Sequence, residues 1–508
     1  MPTVHDVARL AGVSTATVSH VINKTKRVSP KTTQQVQIAI TQLNFVPNPL
    51  GRLLALRKIA PPSLLPSLRT STNHARPTAS DESTAQDRSL LTVLTQTDGR
   101  LRSISGASNE TTRAMLRMVR VAQPISRADL ARRLQVHRST ITEMVKPLVA
   151  SGLLREAAPA RPREGAGRSS IGLSFREERS FFIGVNIGVR RSQVCAALVD
   201  GEILGEESFD TPEDSKVALA QVRAGVDRLR ASLSGRAISA IGVSVPGPVN
   251  AARTHLLFGP QLGWRDVAVA NALRIENPSP AQILNREVPV VVENDATAAA
   301  LYERGRLLAR NSKGEFSDFV LVRVGTGIGV GLVLGGAVYR GTGAGRGLPG
   351  EFGHMTIVAG GKPCVCGNRG CWERYASAAS AASLYAGERL HARGGSHLRF
   401  VDIVAKAEAG ETRARVTLER IGDYLGIGIG NIISGLGIPR IVVSGRIVFG
   451  WRFIEDSLRD AVARTMVGRL ATWSIEAGEP TGSGLGGALE VAIEQHLTSI
   501  VTQLRPAE

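Results

Sequence analysis

Four side chains in the C-terminal half carry the clearest chemical signal. His354, Cys364, Cys366 and Cys371 follow the spacing H-x9-C-x-C-x4-C within HMTIVAGGKPCVCGNRGCWE. Three thiolates and an imidazole are a donor set for tetrahedral zinc, and Gly360, Gly361, Gly367 and Gly370 let the chain wrap closely around an ion. The fourth cysteine, Cys195, stands alone in the apolar run VCAALV and reads as a small core residue. Three cysteines crowded into eight residues do not make a disulfide framework; the pattern suits a metal site in a reducing compartment.

A second chemistry, reading of DNA, is written twice near the N-terminus. In TVHDVARLAGVSTATVSHVIN, Thr3 and Asp6 form a capping box, and Val7, Ala8 and Leu10 give the first helix an apolar face. Gly12 permits a tight turn, and Ser14 with Thr17 starts a second helix. Val18, Val21 and Ile22 hold that helix in place, leaving Thr15, Ala16, Thr17 and His20 to approach base edges in a major groove. The second unit spans NETTRAMLRMVRVAQPISRADLARRLQVHRSTITEMVKPLVASGLLRE. There Ser126 and Asp129 make another capping box, Ala131 and Leu134 face inward, and HRSTITEMVKPLV is the recognition helix. Two strands with a glycine- and arginine-rich wing follow, so the DNA contacts expected are Arg138, Ser139, Thr140 and Thr142, with Arg161, Arg163 and Arg168 on the wing.

The charge distribution agrees. The 508 residues carry a net +18, and the first 175 hold 25 basic and 10 acidic residues, a net +15, against +3 for the remainder. Such a segment attracts phosphate backbones through counterion release. With 43% hydrophobic and 21% charged residues the chain can build packed cores, and its length suits about three domains. No apolar run approaches the ~18 residues of a membrane span, and MPTVHDVARL is no secretory signal, so the expected location is the cytoplasm, beside the nucleoid.

Composition divides the chain into a helical segment 1–58, a Pro/Ser/Thr/Ala-rich linker 59–106, a second helical unit 107–175 and a long α/β segment 176–508. In the last, β-branched runs such as FFIGVNIG, AIGVSVPG, VPVVVEN, FVLVRVG and RIVVSG end in glycines or polar residues, as in a sheet whose strand ends carry a site. No short-period repeat is visible.

These motifs resemble known families. VHDVARLAGVSTATVSHVIN, RVSPKTTQQVQIAI and FVPNPLGRLLA are similar to the LacI-type DNA-binding headpiece. That likeness implies a hinge helix in which Leu54 wedges into the minor groove, although Pro49 and Gly51 are poor helix formers. The second unit resembles the winged helix preceding the sugar-binding domain of ROK-family repressors. GTGIGVGLVLGGAVYRGTGAGRGLPGEFGHM, CVCGNRGCWE, VPGP and VENDATAAA resemble the ROK signature of sugar kinases and repressors. The implied fold is multidomain: a LacI-type helix-turn-helix, a winged helix-turn-helix, then an α/β two-lobed actin-like ATPase domain with a zinc loop. By the same likeness Asn294, Asp295, Glu351, His354 and Glu373 hold sugar hydroxyls, a fitting set of acceptors and donors. His354 then binds zinc through one ring nitrogen and keeps the other near the sugar, which makes the zinc structural.

The resemblance also raises kinase activity. Asp295 occupies the place of the kinase base, and Gly188, Gly325, Thr326, Gly327, Gly329 and Gly331 can cradle phosphates. Two departures weigh against it. Asn186 replaces the aspartate of the first phosphate motif, with Arg190 and Arg191 following, and the nucleotide-side motif reads Ser444-Gly445-Arg446. Both fall on the ATP side of the cleft, while the sugar side is intact. The sequence is therefore read as a sugar-responsive regulator of carbohydrate metabolism, a repressor acting on duplex operator DNA as a homodimer or homotetramer. An ATP-dependent sugar kinase with attached DNA-binding segments is the alternative, with Mg-ATP as cofactor only in that case. A zinc-dependent protein scaffold is the third reading.

Overall fold

The computed structural model describes residues 4–23, 28–42, 109–157, 171–176, 180–277, 287–310, 318–342, 349–387 and 398–503, in two units divided after Asp81. Thr3, the hinge residue Leu54, the linker 59–106 and the wing arginines Arg161, Arg163 and Arg168 lie outside the described residues.

The first unit holds helices Val4–Ala11, Thr15–Asn23 and Pro30–Gln42, and short polar side chains start the second and third. Ser14 Oγ accepts from the Thr17 amide at 3.2 Å, and Ser29 Oγ from the Thr32 amide at 3.1 Å. Gly12, at φ +66°, makes the turn between the first two helices. Val7, Ala8, Val18, Val36 and Ala39 form the core. Leu10 does not join Val7 and Ala8 as the sequence suggested; it is 51% exposed, and Ala11 packs on the core instead. At 100° per residue, position 10 falls off the stripe that positions 7, 8 and 11 share.

The second unit opens with helix Asn109–Ala122, strand β1 (Ile125–Ser126), helices Arg127–Arg133 and Arg138–Ala150, and strands β2 (Leu154–Ala157) and β3 (Gly172–Phe175). Ser126 Oγ accepts from the Asp129 amide at 3.1 Å, the first half of the capping box expected from the sequence, while the Asp129 carboxylate accepts from the Ser126 hydroxyl at 2.7 Å. The sheet runs β1-β3-β2, antiparallel throughout.

Two five-stranded sheets follow. The first contains β4 (Ser180–Ile187), β5 (Arg191–Ala197), β6 (Ile203–Asp210), β7 (Ala237–Val245) and, after the hairpin β8 (Leu256–Gly259) and β9 (Trp264–Val267), β10 (Val290–Asn294). Its order is β10-β7-β4-β5-β6. The second contains β11 (Phe319–Val324), β12 (Ile328–Leu334), β13 (Ala337–Val338), β14 (Arg440–Ser444) and β15 (Ser474–Ala477), in the order β13-β12-β11-β14-β15. Each has three parallel strands with two antiparallel ones beyond the central strand, so one plan is used twice. Helix Ser483–Gln503 packs on β4 and β7, helix Asp295–Arg310 packs on β11 and β12, and the two helices pack together. The core of this helical unit, with Met115, Leu116, Leu130, Ile141 and Leu148, continues into Leu489, Ile493 and Leu497 of helix Ser483–Gln503. Cys195 is fully buried on β5, as a core residue should be.

Candidate functional site

The parallel strands of both sheets end at one cleft of about 510 Å³, where α/β folds place their ligands. Asn294, Asp295, Glu351, His354 and Glu373 all line it, although they come from the end of β10, the following helix, and the turns around the cysteine loop.

Asn294 caps helix Asp295–Arg310: its Oδ1 accepts from the Ala296 and Thr297 amides at 3.0 and 3.1 Å. Its amide nitrogen donates to the Gly247 carbonyl at 3.2 Å, so much of its hydrogen-bonding capacity is spent on shaping the site. Asp295 is engaged by a residue that the sequence reading missed. Arg323, on β11, donates Nη1 to Asp295 Oδ2 at 2.6 Å. The signal was available as a lone charge within the β-branched run FVLVRVG. Burial, reinforced by the like charges of Asp295 and Glu373, pushes the Glu351 carboxyl up to about 7. Glu373 accepts from the Cys364 thiol at 3.2 Å and stands 3.6 Å from His354 Nδ1. Gly327 makes room for it, because a Cβ there would meet Glu373 Oε2 at 2.5 Å.

The donor atoms of His354, Cys364, Cys366 and Cys371 all lie within 4.8 Å of one another. Cys366 and Cys371 sulfurs are 3.7 Å apart, and Cys364 Sγ is 3.6 Å from His354 Nδ1. A tetrahedron with ~2.3 Å zinc–sulfur bonds has edges of about 3.8 Å, so the donor set fits the ion. Gly370, at φ +77°, is indispensable here: any Cβ would collide with the Val358 carbonyl. His354 Nδ1 faces the cysteines, while Nε2 lies 3.9 Å from Glu351 Oε2 on the cleft side.

Gly188, Gly325, Thr326, Gly327 and Gly329 line the same cleft, with Arg190, Arg191 and Arg446. Asn186 donates to Gln193 Oε1 at 3.3 Å. Gly329 also serves packing, because its Cβ would fall 2.7 Å from that of Ala296. Of the expected DNA contacts, Arg138 and Ser139 are exposed at the start of helix Arg138–Ala150, with Thr140 and Thr142 half-buried. Thr142 donates its hydroxyl to the Arg138 carbonyl at 2.9 Å. Thr15, Thr17 and His20 are half-buried on helix Thr15–Asn23, which also carries Ala16.

Residues 182–495, more than half of the chain, match the ROK family. The chain belongs to the ROK family. Ahead of its ROK region, residues 3–48 match bacterial regulatory proteins of the lacI family and residues 109–157 match the MarR family. The xylose repressor of Bacillus subtilis is 27% identical over 362 residues, covering 70% of this chain and 87% of that protein. NagC of Escherichia coli, a DNA-binding transcriptional dual regulator, is 26% identical over 347 residues, 66% of this chain and 80% of that protein. A glucokinase of Streptomyces coelicolor is 30% identical over 331 residues, 61% of this chain and 97% of the enzyme. In fold, this ROK protein superposes on a ROK family transcriptional regulator homologous to E. coli MLC, with TM-score 0.60 and 22% identity over 78% of this chain and 99% of that one. No helix among the described residues is long and apolar enough to cross a membrane.

Proposed function

We propose that this ROK protein is a sugar-responsive transcriptional repressor with two DNA-reading units, bounded as residues 1–58 and 107–175, and a sugar-sensing domain from residue 176. The observation that carries this reading is that the MarR-type unit shares a core with helix Ser483–Gln503, whose first residues line the cleft. A sugar held by Asp295, Glu351, His354 and Glu373 would favour one lobe arrangement, and DNA affinity would follow that equilibrium. Zinc on His354, Cys364, Cys366 and Cys371 would staple the cysteine loop and fix the His354 ring beside the cleft; it supplies geometry, not a reaction step. Thr15, Ala16, Thr17, His20, Arg138, Ser139, Thr140 and Thr142, with Leu54 and Arg168, are the proposed DNA contacts. A cytoplasmic homodimer or homotetramer would place the readers on repeated half-sites.

The second reading is a sugar kinase, favoured by Asp295 in its place and by the glucokinase relatives. Arg323 argues against efficient transfer, because its guanidinium occupies Asp295 Oδ2, one of the two oxygens that could take the sugar proton. The deciding experiment is a thermal-shift screen of zinc-loaded protein against pentoses, hexoses and N-acetyl sugars, with and without Mg-ATP, followed by a coupled ADP assay. Stabilisation without ADP release supports the sensor. Steady ADP release places the kinase first.

A further inference from the structure

Helix Asn109–Ala122, which opens the MarR-type unit, is bolted to the cleft domain by buried charges as well as by its apolar face. Arg117 donates Nε to Glu494 Oε2 at 3.0 Å and a second nitrogen to Oε1. The same Oε2 accepts from Arg304 Nη2 at 2.8 Å. One turn earlier, Glu490 takes both terminal nitrogens of Arg120, at 2.5 and 2.6 Å, while Arg120 Nε donates to the Val199 carbonyl. The three arginine side chains are 6 to 9% exposed and the two carboxylates 10 and 15%. Burial by itself would raise the Glu494 carboxyl, but Arg304 and Arg117 hold it far below the usual carboxylate range. Groups this buried are costly to leave unpaired; Arg117 also donates Nη1 to Glu110 Oε1 at 2.8 Å on its own helix, so a loosened Glu494 changes how Arg117 is shared between the two carboxylates.

The placement of the partners gives the cluster a direction. Arg304 belongs to the helix that begins at Asp295 in the cleft and lies on the second sheet. Glu490 and Glu494 belong to the helix whose Ser483, Gly484 and Leu485 line the same cleft and which lies on the first sheet. Arg117 and Arg120 belong to the DNA-reading unit. Glu494 is thus one carboxylate shared by a cation from the helix on the second sheet and a cation from the first helix of the MarR-type unit.

We propose that Glu494 is the positioning residue that couples the cleft to the MarR-type DNA reader, by sharing its Oε2 between Arg304 and Arg117 while Oε1 holds Arg117 alone. The inference rests on the sugar-responsive reading above. When the lobes rotate around a bound sugar, Arg304 shifts against Glu494, the grip on Arg117 changes, and helix Asn109–Ala122 resets the recognition helix Arg138–Ala150. Close packing makes this a switch between discrete arrangements rather than a continuous bend.

The test uses the full chain and its Glu494→Gln variant, which keeps size and one acceptor but removes the charge. The probe is whichever of D-xylose, D-glucose or N-acetyl-D-glucosamine raises the wild-type melting temperature. Hydrogen exchange is followed at residues 349–373 and at 109–150, and affinity is measured for a duplex selected by the full chain from a random pool. The expected wild-type result is slowed exchange at 349–373, altered exchange at 109–150, and a sugar-dependent change in DNA affinity of about tenfold. In Glu494→Gln, sugar affinity stays within about threefold and the cleft response persists, while the response at 109–150 disappears and the sugar effect on DNA falls below about twofold. Arg304→Lys, which keeps the charge but loses the planar fork, carries the same test should Glu494→Gln melt out, and is expected to lose most of the coupling. Wild-type coupling retained in a folded variant overturns the inference alone. A wild-type protein whose cleft responds while 109–150 does not also overturns it. A wild-type cleft that responds to no sugar removes the sugar-responsive reading and this inference with it.

Discussion

At the scale of single residues, the site divides into groups that meet a ligand and groups that hold others in place. Cys366 is a proposed zinc donor 3.7 Å from Cys371. Cys366→Ala is expected to lower zinc from one equivalent to a small fraction by elemental analysis, and to abolish sugar-induced thermal stabilisation with it. Full zinc retention would show that the ligand assignment is wrong. Asp295 offers the cleft acceptor oxygens held in place by Arg323. A hydrogen bond to a charged group contributes ~1.5–3 kcal/mol, so Asp295→Ala should weaken sugar binding about tenfold or more by calorimetry. Its sugar-free affinity for DNA should stay within about twofold, because Asp295 lies in the cleft and not on a reader.

At the scale of elements, glycines set how closely the two interlobe helices approach. A Cβ on Gly487 would lie 2.6 Å from backbone atoms of Ala298, which cannot swing aside. Alanine would gain up to ~1 kcal/mol of helix propensity but force a backbone shift costing about 1–3 kcal/mol. Gly487→Ala is therefore expected to lose net stability in urea unfolding, and a gain would mean that the helices can separate freely. His496, on the same helix, packs edge-on against Phe182 at 5.3 Å, and burial pushes it down to about 4. A histidine with a depressed pKa favours the folded state while neutral, so its contribution is intact above pH 6.5 and fades as pH falls toward 4. The loss amounts to about 3 kcal/mol at most. His496→Phe should therefore flatten the fall in melting temperature between pH 6.5 and 4.5 relative to wild type; parallel curves would contradict the assignment.

At the scale of the whole molecule, the basic charge lies in the first third of the chain. Deleting residues 1–58 is expected to lower DNA affinity and flatten its dependence on salt, since each lost phosphate contact removes about 0.9 from the log–log slope. An unchanged slope would show that the LacI-type unit makes no phosphate contact. The MarR-type unit stands differently, because its core runs into helix Ser483–Gln503. Its deletion would expose Leu489, Ile493 and Leu497, so its role is better tested by point substitution at Arg138 than by truncation.

Much of this was legible in the sequence because it rests on local chemistry. Capping at Ser14 and Ser126 needs only neighbours three residues away, and a Cys-x-Cys pair already restricts which ion can be held. Contacts between distant segments were not legible. The Asp295–Arg323 pair joins positions 28 apart, and the Arg117–Glu494 pair joins positions 377 apart. Leu10 was misplaced because a single turn of helix leaves the apolar stripe ambiguous until a partner covers one side. The sequence by itself therefore determined the kinds of unit in the chain and their chemistry: two readers of DNA, a zinc-type donor set and a polar cleft. Folding alone sets that one reader shares a core with helix Ser483–Gln503 and that buried carboxylates tie the two together, because an ion pair between distant segments has no sequence spacing, only a distance in the folded chain.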